Sequence, residues 1–269
     1  MNRILIILGM HRSGTSITTK WLNECGLEVG EALLGPQESN RSGHFEDLDF
    51  FNFHEKVFEQ NNMSFGGFQQ LEKAKLTEAQ ISEFKSLIDK KNTQFGQWGW
   101  KDPRTCLFIR QYLNLIHDAH LFIISRNYNQ IIQSLIARET GHIKKDILAQ
   151  APYARLSFLS HEIKGGITRK RSLGKVYSEA CIHYYNEILG ALKVVDPNRR
   201  TAIRFESMIT NSDKALNKLL DQGFELKAVP FNKVYDPGLK SSTSYCPYIP
   251  RSMRNQLRSL QRQIDSYCI

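Results

Sequence analysis

Short, wholly apolar runs alternate along this chain with longer segments in which apolar residues recur every three to four positions. Residues 3–8 contain Ile4-Leu5-Ile6-Ile7-Leu8 and predict a central parallel strand, because such a run leaves no polar face for water. Residues 9–15 read as a turn rich in Gly and Ser. Residues 16–25 read as a helix with Ile17, Trp21 and Leu22 on one face. Residues 26–44 are irregular, and a helix is expected from about Glu46 to Gln60, where Leu48, Phe51, His54 and Phe58 recur at roughly helical spacing. After a loop at 61–70, Thr77 to Lys90 carries a full helix-start signal: Leu76 as staple, Thr77 as cap and Gln80 at the reciprocal position.

The second half repeats the alternation. A short strand is expected at 98–101, a helix at 105–117 burying Leu107, Phe108, Tyr112 and Ile116, a strand at 121–125 and a helix at 130–138. Residues 140–175 are basic and broken by Pro152, Gly165 and Gly166; they resist assignment and form a candidate lid or acceptor-facing insertion. Helices are expected at 177–192 and 213–221, with a strand at 201–205 between them. Residues 230–250 hold four prolines and read as irregular, and a polar helix is expected at 251–266. Strands alternating with helices imply an α/β fold, read here as one domain over 1–269.

Composition narrows the function classes. With 41% hydrophobic and 23% charged residues, the chain is neither disordered nor membrane-spanning in type, and no apolar run approaches 18 residues. Thirty-six basic against 27 acidic residues leave a net charge of +9, which favours anionic ligands without choosing among phosphates, sulfates, acidic sugars and nucleic acid. No aromatic-basic repeat or reading motif supports nucleic acid. The densest basic cluster, Arg169-Lys170-Arg171, reads as a solvated loop. Five cysteines at spacings that match no zinc pattern read as reduced thiols, so no metal site and a cytoplasmic location are expected, with secretion the alternative.

The strongest chemical signal is Gly9-Met10-His11-Arg12-Ser13-Gly14-Thr15-Ser16, between the first strand and the first helix. In that context successive backbone N–H groups converge on an anion, aided by the positive end of the helix dipole. The two glycines have the separation of a triphosphatase loop, but Thr15 stands where that loop has its lysine. Arg12 offers a fixed charge with directed donors instead.

His11-Arg12-Ser13-Gly14-Thr15-Ser16 resembles the 5′-phosphosulfate loop of sulfotransferases that use 3′-phosphoadenosine 5′-phosphosulfate (PAPS). Arg126 with Ser134 eight positions later, just past the second strong strand, is similar to that family's 3′-phosphate ligands, with Tyr128 where proline is common. Lys101-Asp102-Pro103-Arg104 and Phe205-Glu206-Ser207-Met208 resemble two further family segments, in the family order. No counterpart of the C-terminal Arg-Lys-Gly motif of cytosolic aryl and steroid sulfotransferases is found.

The resemblance implies a P-loop-type three-layer fold with a central, mostly parallel sheet, and transfer of sulfonate from PAPS to a hydroxyl or amine of a small-molecule or carbohydrate acceptor. It implies His11, Arg12, Ser13, Gly14, Thr15, Ser16, Arg126 and Ser134 as donor ligands. Arg12, then Lys101, would stabilise the leaving oxygen. Glu46, from Gly43-His44-Phe45-Glu46-Asp47, looks like the family's base, although by itself it is equally a helix N-terminal glutamate. His44 and His54 are rival bases. Asp102 either orients Lys101 or Arg12 or acts as base, and Arg104 either binds an anion or pairs with an acid. Trp98, Trp100, Tyr153 and Phe158 are candidates for an acceptor site or for core packing. The length without a membrane anchor resembles a soluble bacterial enzyme. The alternatives are a P-loop kinase or other phosphoryl transferase, and a non-enzymatic nucleotide- or polyanion-binding protein.

Overall fold

A computed structural model describes residues 2–35, 43–150, 158–235 and 244–269, with side chains of 142–165 outside the description. Its frame is a four-stranded parallel sheet in the order β2-β1-β3-β4, formed by β1 (Arg3–Leu8), β2 (Gln97–Lys101), β3 (His120–Ser125) and β4 (Arg200–Arg204). The register pairs Ile6 with Trp100 and with Leu121, so β1 lies at the centre. Its alternate residues therefore enter two different cores. Ile4, Ile6 and Leu8 face one hydrophobic cluster, and Leu5 and Ile7 face the other.

The first cluster is covered by α2 (Leu48–Gln60), α3 (Glu78–Gln94), α4 (Thr105–Leu115), α5 (Tyr128–Gln150), α6 (Phe158–Val194) and α8 (Arg251–Asp265). The second is covered by α1 (Thr15–Glu24) and α7 (Met208–Asp221). Helices on both faces of a parallel sheet give the expected three-layer α/β architecture. β1 and β3 are neighbours whose outgoing connections run to opposite sides of the sheet, to β2 and to β4. That switch point opens a crevice at the C-terminal ends of β1 and β3, where open α/β sheets place their ligands.

Local signals hold well. Thr77 accepts from the Gln80 N–H while the Gln80 side chain accepts from the Thr77 N–H, the full reciprocal cap. Long-range packing changes three expectations. In α2 the buried stripe is Phe50, Phe53, His54, Val57 and Phe58, rotated from the expected one, because Phe50 must meet the sheet: its ring stacks on Trp100 at 4.4 Å. Trp98 and Trp100 are thus core residues rather than acceptor-site residues. Tyr153 lies outside the described residues, as does the side chain of Phe158.

The third change concerns length. α5 continues to Gln150, and α6 begins at Phe158 and runs through Gly165 and Gly166. Glycine costs a helix about 1 kcal/mol per position, a local penalty that packing outweighs. The buried face of α6, with Tyr177, Ala180, Cys181, Tyr184, Tyr185 and Ile188, is held by α4, α5 and α8. Arg169-Lys170-Arg171 accordingly sits on a helix, not in a loop: Arg169 and Arg171 are exposed, and Lys170 lies over the Tyr248 ring. No helix among the described residues is long and apolar enough to cross a membrane. The cysteines are free thiols, four of them buried.

Candidate functional site

The loop after β1 closes tightly. Arg12 (φ 66°) and Gly14 (φ 99°) both occupy the left-handed region, which costs a residue with a side chain about 1–3 kcal/mol. Such turns point successive N–H groups into one concavity. Gly14 caps α1 without a side chain, so the first-turn N–H groups have no acceptor of their own helix. Close packing requires both loop glycines. A Cβ at Gly9 would lie 2.5 Å from Ser13 Oγ and 2.7 Å from a Thr15 methyl carbon, and one at Gly14 would enter the Phe205 ring. Ser13 Oγ is fully buried and has no hydrogen-bond partner among the described residues. An orphaned hydroxyl inside an N–H-lined loop suits an oxyanion.

The crevice brings the other predicted donor residues to this loop. Arg126, at the end of β3, donates from Nη1 to the Arg12 carbonyl at 2.8 Å and from Nε to Gln130 Oε1 at 3.0 Å. Its guanidinium lies 5.1 Å from the Phe205 ring centre. Arg12 Nε donates to Ser134 Oγ at 3.0 Å. Arg126, Arg12 and Ser134 are therefore one connected group, although 122 residues separate the last two.

Arg138 belongs with them and was missed in the sequence. It stands one turn beyond Ser134 on α5, so the two share a face. After burial, its charge is the largest influence lowering the pKa of both His11 and Arg12. The four-residue spacing Arg126, Gln130, Ser134, Arg138 was the available signal. The expected helix at 130–138 already held three of these four positions, but nothing in the sequence marked 138 as a ligand.

On the opposite wall, Lys101 ends β2, almost fully buried. Its Nζ donates to Ser16 Oγ at 3.1 Å and to Glu46 Oε1 at 2.8 Å. One ammonium thus links the anion loop to the candidate base. Glu46 precedes α2, and Asp47, not Glu46, is the N-cap, accepting from the Asp49 N–H. The segment is pinned from two sides. The Leu34 N–H donates to the Glu46 carbonyl and the Leu48 N–H to the Ala32 carbonyl, while buried Lys91 pairs with Asp47 at 2.6 Å and Asp49 at 2.9 Å. Lys91 is a second residue the sequence reading missed; it lies among surface-like lysines on α3 and no local pattern marks it.

The electrostatics separate the rival bases. Burial raises the Glu46 pKa above the ordinary carboxylate value, and Lys101 opposes that rise. His44 is pushed down to about 4 by burial and then by Lys101, Arg12 and Arg138. His11 is pushed down to about 3 by burial and then by Arg138; its ring lies between Phe68 and Tyr184, whose hydroxyl is 3.3 Å from Nε2. Both imidazoles are neutral at working pH and bind protons poorly. His54 is wholly buried between Asp102 Oδ2 at 3.0 Å and the Tyr112 hydroxyl at 2.9 Å.

Asp102 differs from expectation. It pairs with Arg104 and His54, not with Lys101 or Arg12. Burial alone would raise its pKa, but Arg104 and His54 outweigh burial and hold it well below the usual carboxylate range. Fully ionised and fully enclosed, it is a structural anchor for the β2 end rather than a proton acceptor for a substrate. Among the described residues no group of three or more His, Cys, Asp or Glu side chains is placed to hold a metal ion.

No family model matches the chain, and no curated protein sequence does. Solved structures similar in chain trace at low identity include two sulfotransferase structures. One is a sulfotransferase from Alicyclobacillus acidocaldarius, with 13% identity and a TM-score of 0.46, over 99% of this chain and 94% of that one. The other is a sulfotransferase domain from the curacin biosynthetic pathway, with 14% identity and a TM-score of 0.44, over 99% and 97%. The functional reading therefore rests on the geometry of the loop and the crevice.

Proposed function

We propose that the protein is a PAPS-dependent sulfotransferase acting on a hydroxyl of a small-molecule or carbohydrate acceptor. The observation that carries this reading is the Ser16–Lys101–Glu46 chain. In a triphosphatase loop the hydroxyl at the Ser16 position serves a magnesium ion, and the preceding lysine reaches the outer phosphates. Here Thr15 replaces that lysine, and the Ser16 hydroxyl accepts from an ammonium that also holds a carboxylate.

The residues divide into three tasks. The loop N–H groups, Ser13 and Arg12 hold the 5′-phosphosulfate, and Arg126 with Ser134 holds the 3′-phosphate. Arg12, Arg126 and Arg138 supply the positive field that a polyanionic nucleotide requires. PAPS supplies the sulfonate: the acceptor oxygen bonds to sulfur while the bridging S–O bond breaks and leaves its electron pair on the 5′-phosphate oxygen. Lys101 stabilises charge on that departing oxygen, as preorganised donors do in a water-poor site. Glu46 takes the acceptor proton. Its pKa, raised by burial and checked by Lys101, makes it more basic than an exposed carboxylate.

Calorimetry with adenosine 3′,5′-bisphosphate and with ATP plus magnesium, followed by transfer from labelled PAPS to an acceptor panel, tests the reading. Tight bisphosphate binding with label transfer is expected. Preference for ATP with magnesium would replace it with a phosphoryl transferase, and bisphosphate binding without transfer to any acceptor would favour a non-catalytic nucleotide binder.

A further inference from the structure

The last helix, α8, carries its charge in a way that the stability of the helix does not explain. Arg251, Arg254, Arg258 and Arg262 follow one another along it at helical spacing. At about 100° and about 1.5 Å per residue they fall within an arc of about 80° and form a row about 16 Å long. Leu257, Leu260 and Ile264, on another face, pack into the core. Helix electrostatics work against the row. Arg251 opens α8 at the positive end of the dipole, and no acidic residue stands in the first turn to offset it. Arg254 with Arg258, and Arg258 with Arg262, are like charges four residues apart, a spacing that weakens a helix. The single acidic residue of the helix, Asp265, accepts from Ser125 Oγ at 2.5 Å and lies 3.9 Å from Arg204 Nε. None of the four arginines pairs with a carboxylate among the described residues.

The surface around the row is polar throughout. Every exposed residue of α8 is Arg, Ser, Asn or Gln: Ser252, Asn255, Gln256, Ser259 and Gln263 stand beside Arg251, Arg258 and Arg262. Arg254 is half-buried and fixed in place. Its Nη2 donates to the Cys246 carbonyl at 2.7 Å, and its guanidinium lies 4.5 Å from the Tyr245 ring centre. The positive surface continues past the start of the helix. On α6, which packs against α8, Lys170 lies over the Tyr248 ring, and Arg169 and Arg171 are exposed.

We infer that the exposed face of α8 is a docking surface for an acidic polysaccharide, a chain that bears carboxylate or sulfate groups among many hydroxyls. The inference does not use the donor crevice and holds whatever reaction takes place there. Charges that repel one another and oppose the helix dipole are balanced when an anionic chain lies along them. Arginine suits that partner because its planar fork meets an oxyanion with two parallel donors. The amides and hydroxyls between the arginines match sugar hydroxyls. A lipid surface fits less well, since a helix lying on a bilayer inserts an apolar face and the apolar face of α8 is already in the core. Single-stranded nucleic acid fits less well too, since bases need aromatic faces to stack on and α8 exposes none.

The test measures binding of labelled polygalacturonate oligomers by fluorescence anisotropy, against neutral dextran oligomers, oligothymidylate of equal charge and, by sedimentation, phosphatidylserine vesicles. The proteins are the wild type, an Arg251→Gln, Arg258→Gln double variant and a Lys73→Gln, Lys85→Gln double variant that removes the same charge from exposed positions elsewhere. Polygalacturonate should bind the wild type, more weakly as salt is raised, and dextran should not. The α8 variant should weaken that binding about two- to thirtyfold, and the lysine variant should stay within about twofold of wild type. Excess adenosine 3′,5′-bisphosphate should leave it unchanged. The α8 variant should unfold at the same temperature as the wild type or higher, because it loses repulsion and no partner. The inference is overturned if polygalacturonate does not bind, if oligothymidylate or the vesicles bind more tightly, or if both double variants weaken it alike, which would make it an effect of net charge. Displacement by bisphosphate would place the glycan in the crevice and overturn it as well. So would a lower unfolding temperature of the α8 variant, which would mean that the arginines serve the fold.

Discussion

Replacing Lys101 by methionine keeps the side-chain volume and removes the ammonium, leaving the Glu46 carboxylate, 7% exposed, without its partner. Removing one member of a buried pair costs about 3–5 kcal/mol when the other stays charged. Glu46 has a way out, since it can enter the fold as the acid. That route costs about 3.5 kcal/mol at pH 7 and under about 1 kcal/mol at pH 5, relative to an ordinary carboxylate. The lost hydrogen bond to Ser16 adds about 1 kcal/mol at any pH. The expected destabilisation is therefore about 4–5 kcal/mol at pH 7 and about 1–2 kcal/mol at pH 5.

The sign follows from the direction of the shift. The pKa of Glu46 is raised in the fold, so its protonated form is the one the fold favours. Its contribution is complete below the ordinary value near 4.5 and is lost as pH climbs through the folded value. Without Lys101 that folded value rises further and the loss spans more of the pH range. Urea unfolding of both proteins at pH 5 and pH 7 measures the difference. The same destabilisation at both pH values, within about 0.5 kcal/mol, would refute the coupling. So would a Lys101→Met, Glu46→Gln double variant no more stable at pH 7 than the single one, since removing both charges should recover most of the loss.

Three further outcomes are expected. Glu46→Gln should lower kcat/KM about 10²–10⁴-fold with bisphosphate affinity within about twofold of wild type, and the wild-type rate should fall on acidification at a pH above that of an ordinary glutamate; an unchanged acid limb in the variant would assign the base elsewhere. Arg126→Ala removes a charged donor from the loop and should weaken adenosine 3′,5′-bisphosphate binding by about 1.5–3 kcal/mol, or roughly ten- to a hundredfold, by calorimetry. Gly9→Ala drives a methyl into Ser13 and Thr15 and should cost about 1–3 kcal/mol in thermal unfolding together with bisphosphate binding; normal binding would mean the loop has another shape.

How far the site was legible depended on how local its signals were. The strand, turn and helix around the candidate anion loop were readable because strand, glycine spacing and helix start lie within 16 consecutive residues. Resemblance suggested Arg126 and Ser134 as a pair, and in the structure both touch Arg12. Arg138 was not picked out although the expected helix at 130–138 contains it, because an arginine one turn past Ser134 reads as a surface residue until the fold turns that face toward the loop after β1. Asp102 misled for the opposite reason: next to Lys101 in sequence, the two side chains alternate across the strand end, so one meets Glu46 and the other meets His54 and Arg104.

By itself, then, the sequence determined the elements whose causes are local: the apolar strands, the Thr77 cap, the glycine-bounded loop and the α/β class. Only the tertiary structure decided which strand lies beside which, and through that which charges meet. β2 and β3 flank β1 although three α-helices lie between β1 and β2 in the chain and a fourth between β2 and β3, and Leu5 stands in register with both Gly99 and His120. Lys101 reaches Ser16 and Glu46, and Arg126 reaches Arg12, because a parallel sheet gathers all its C-terminal ends on one edge. Chain periodicity records the face a residue turns toward the core, and it carries no record of the partner that waits there.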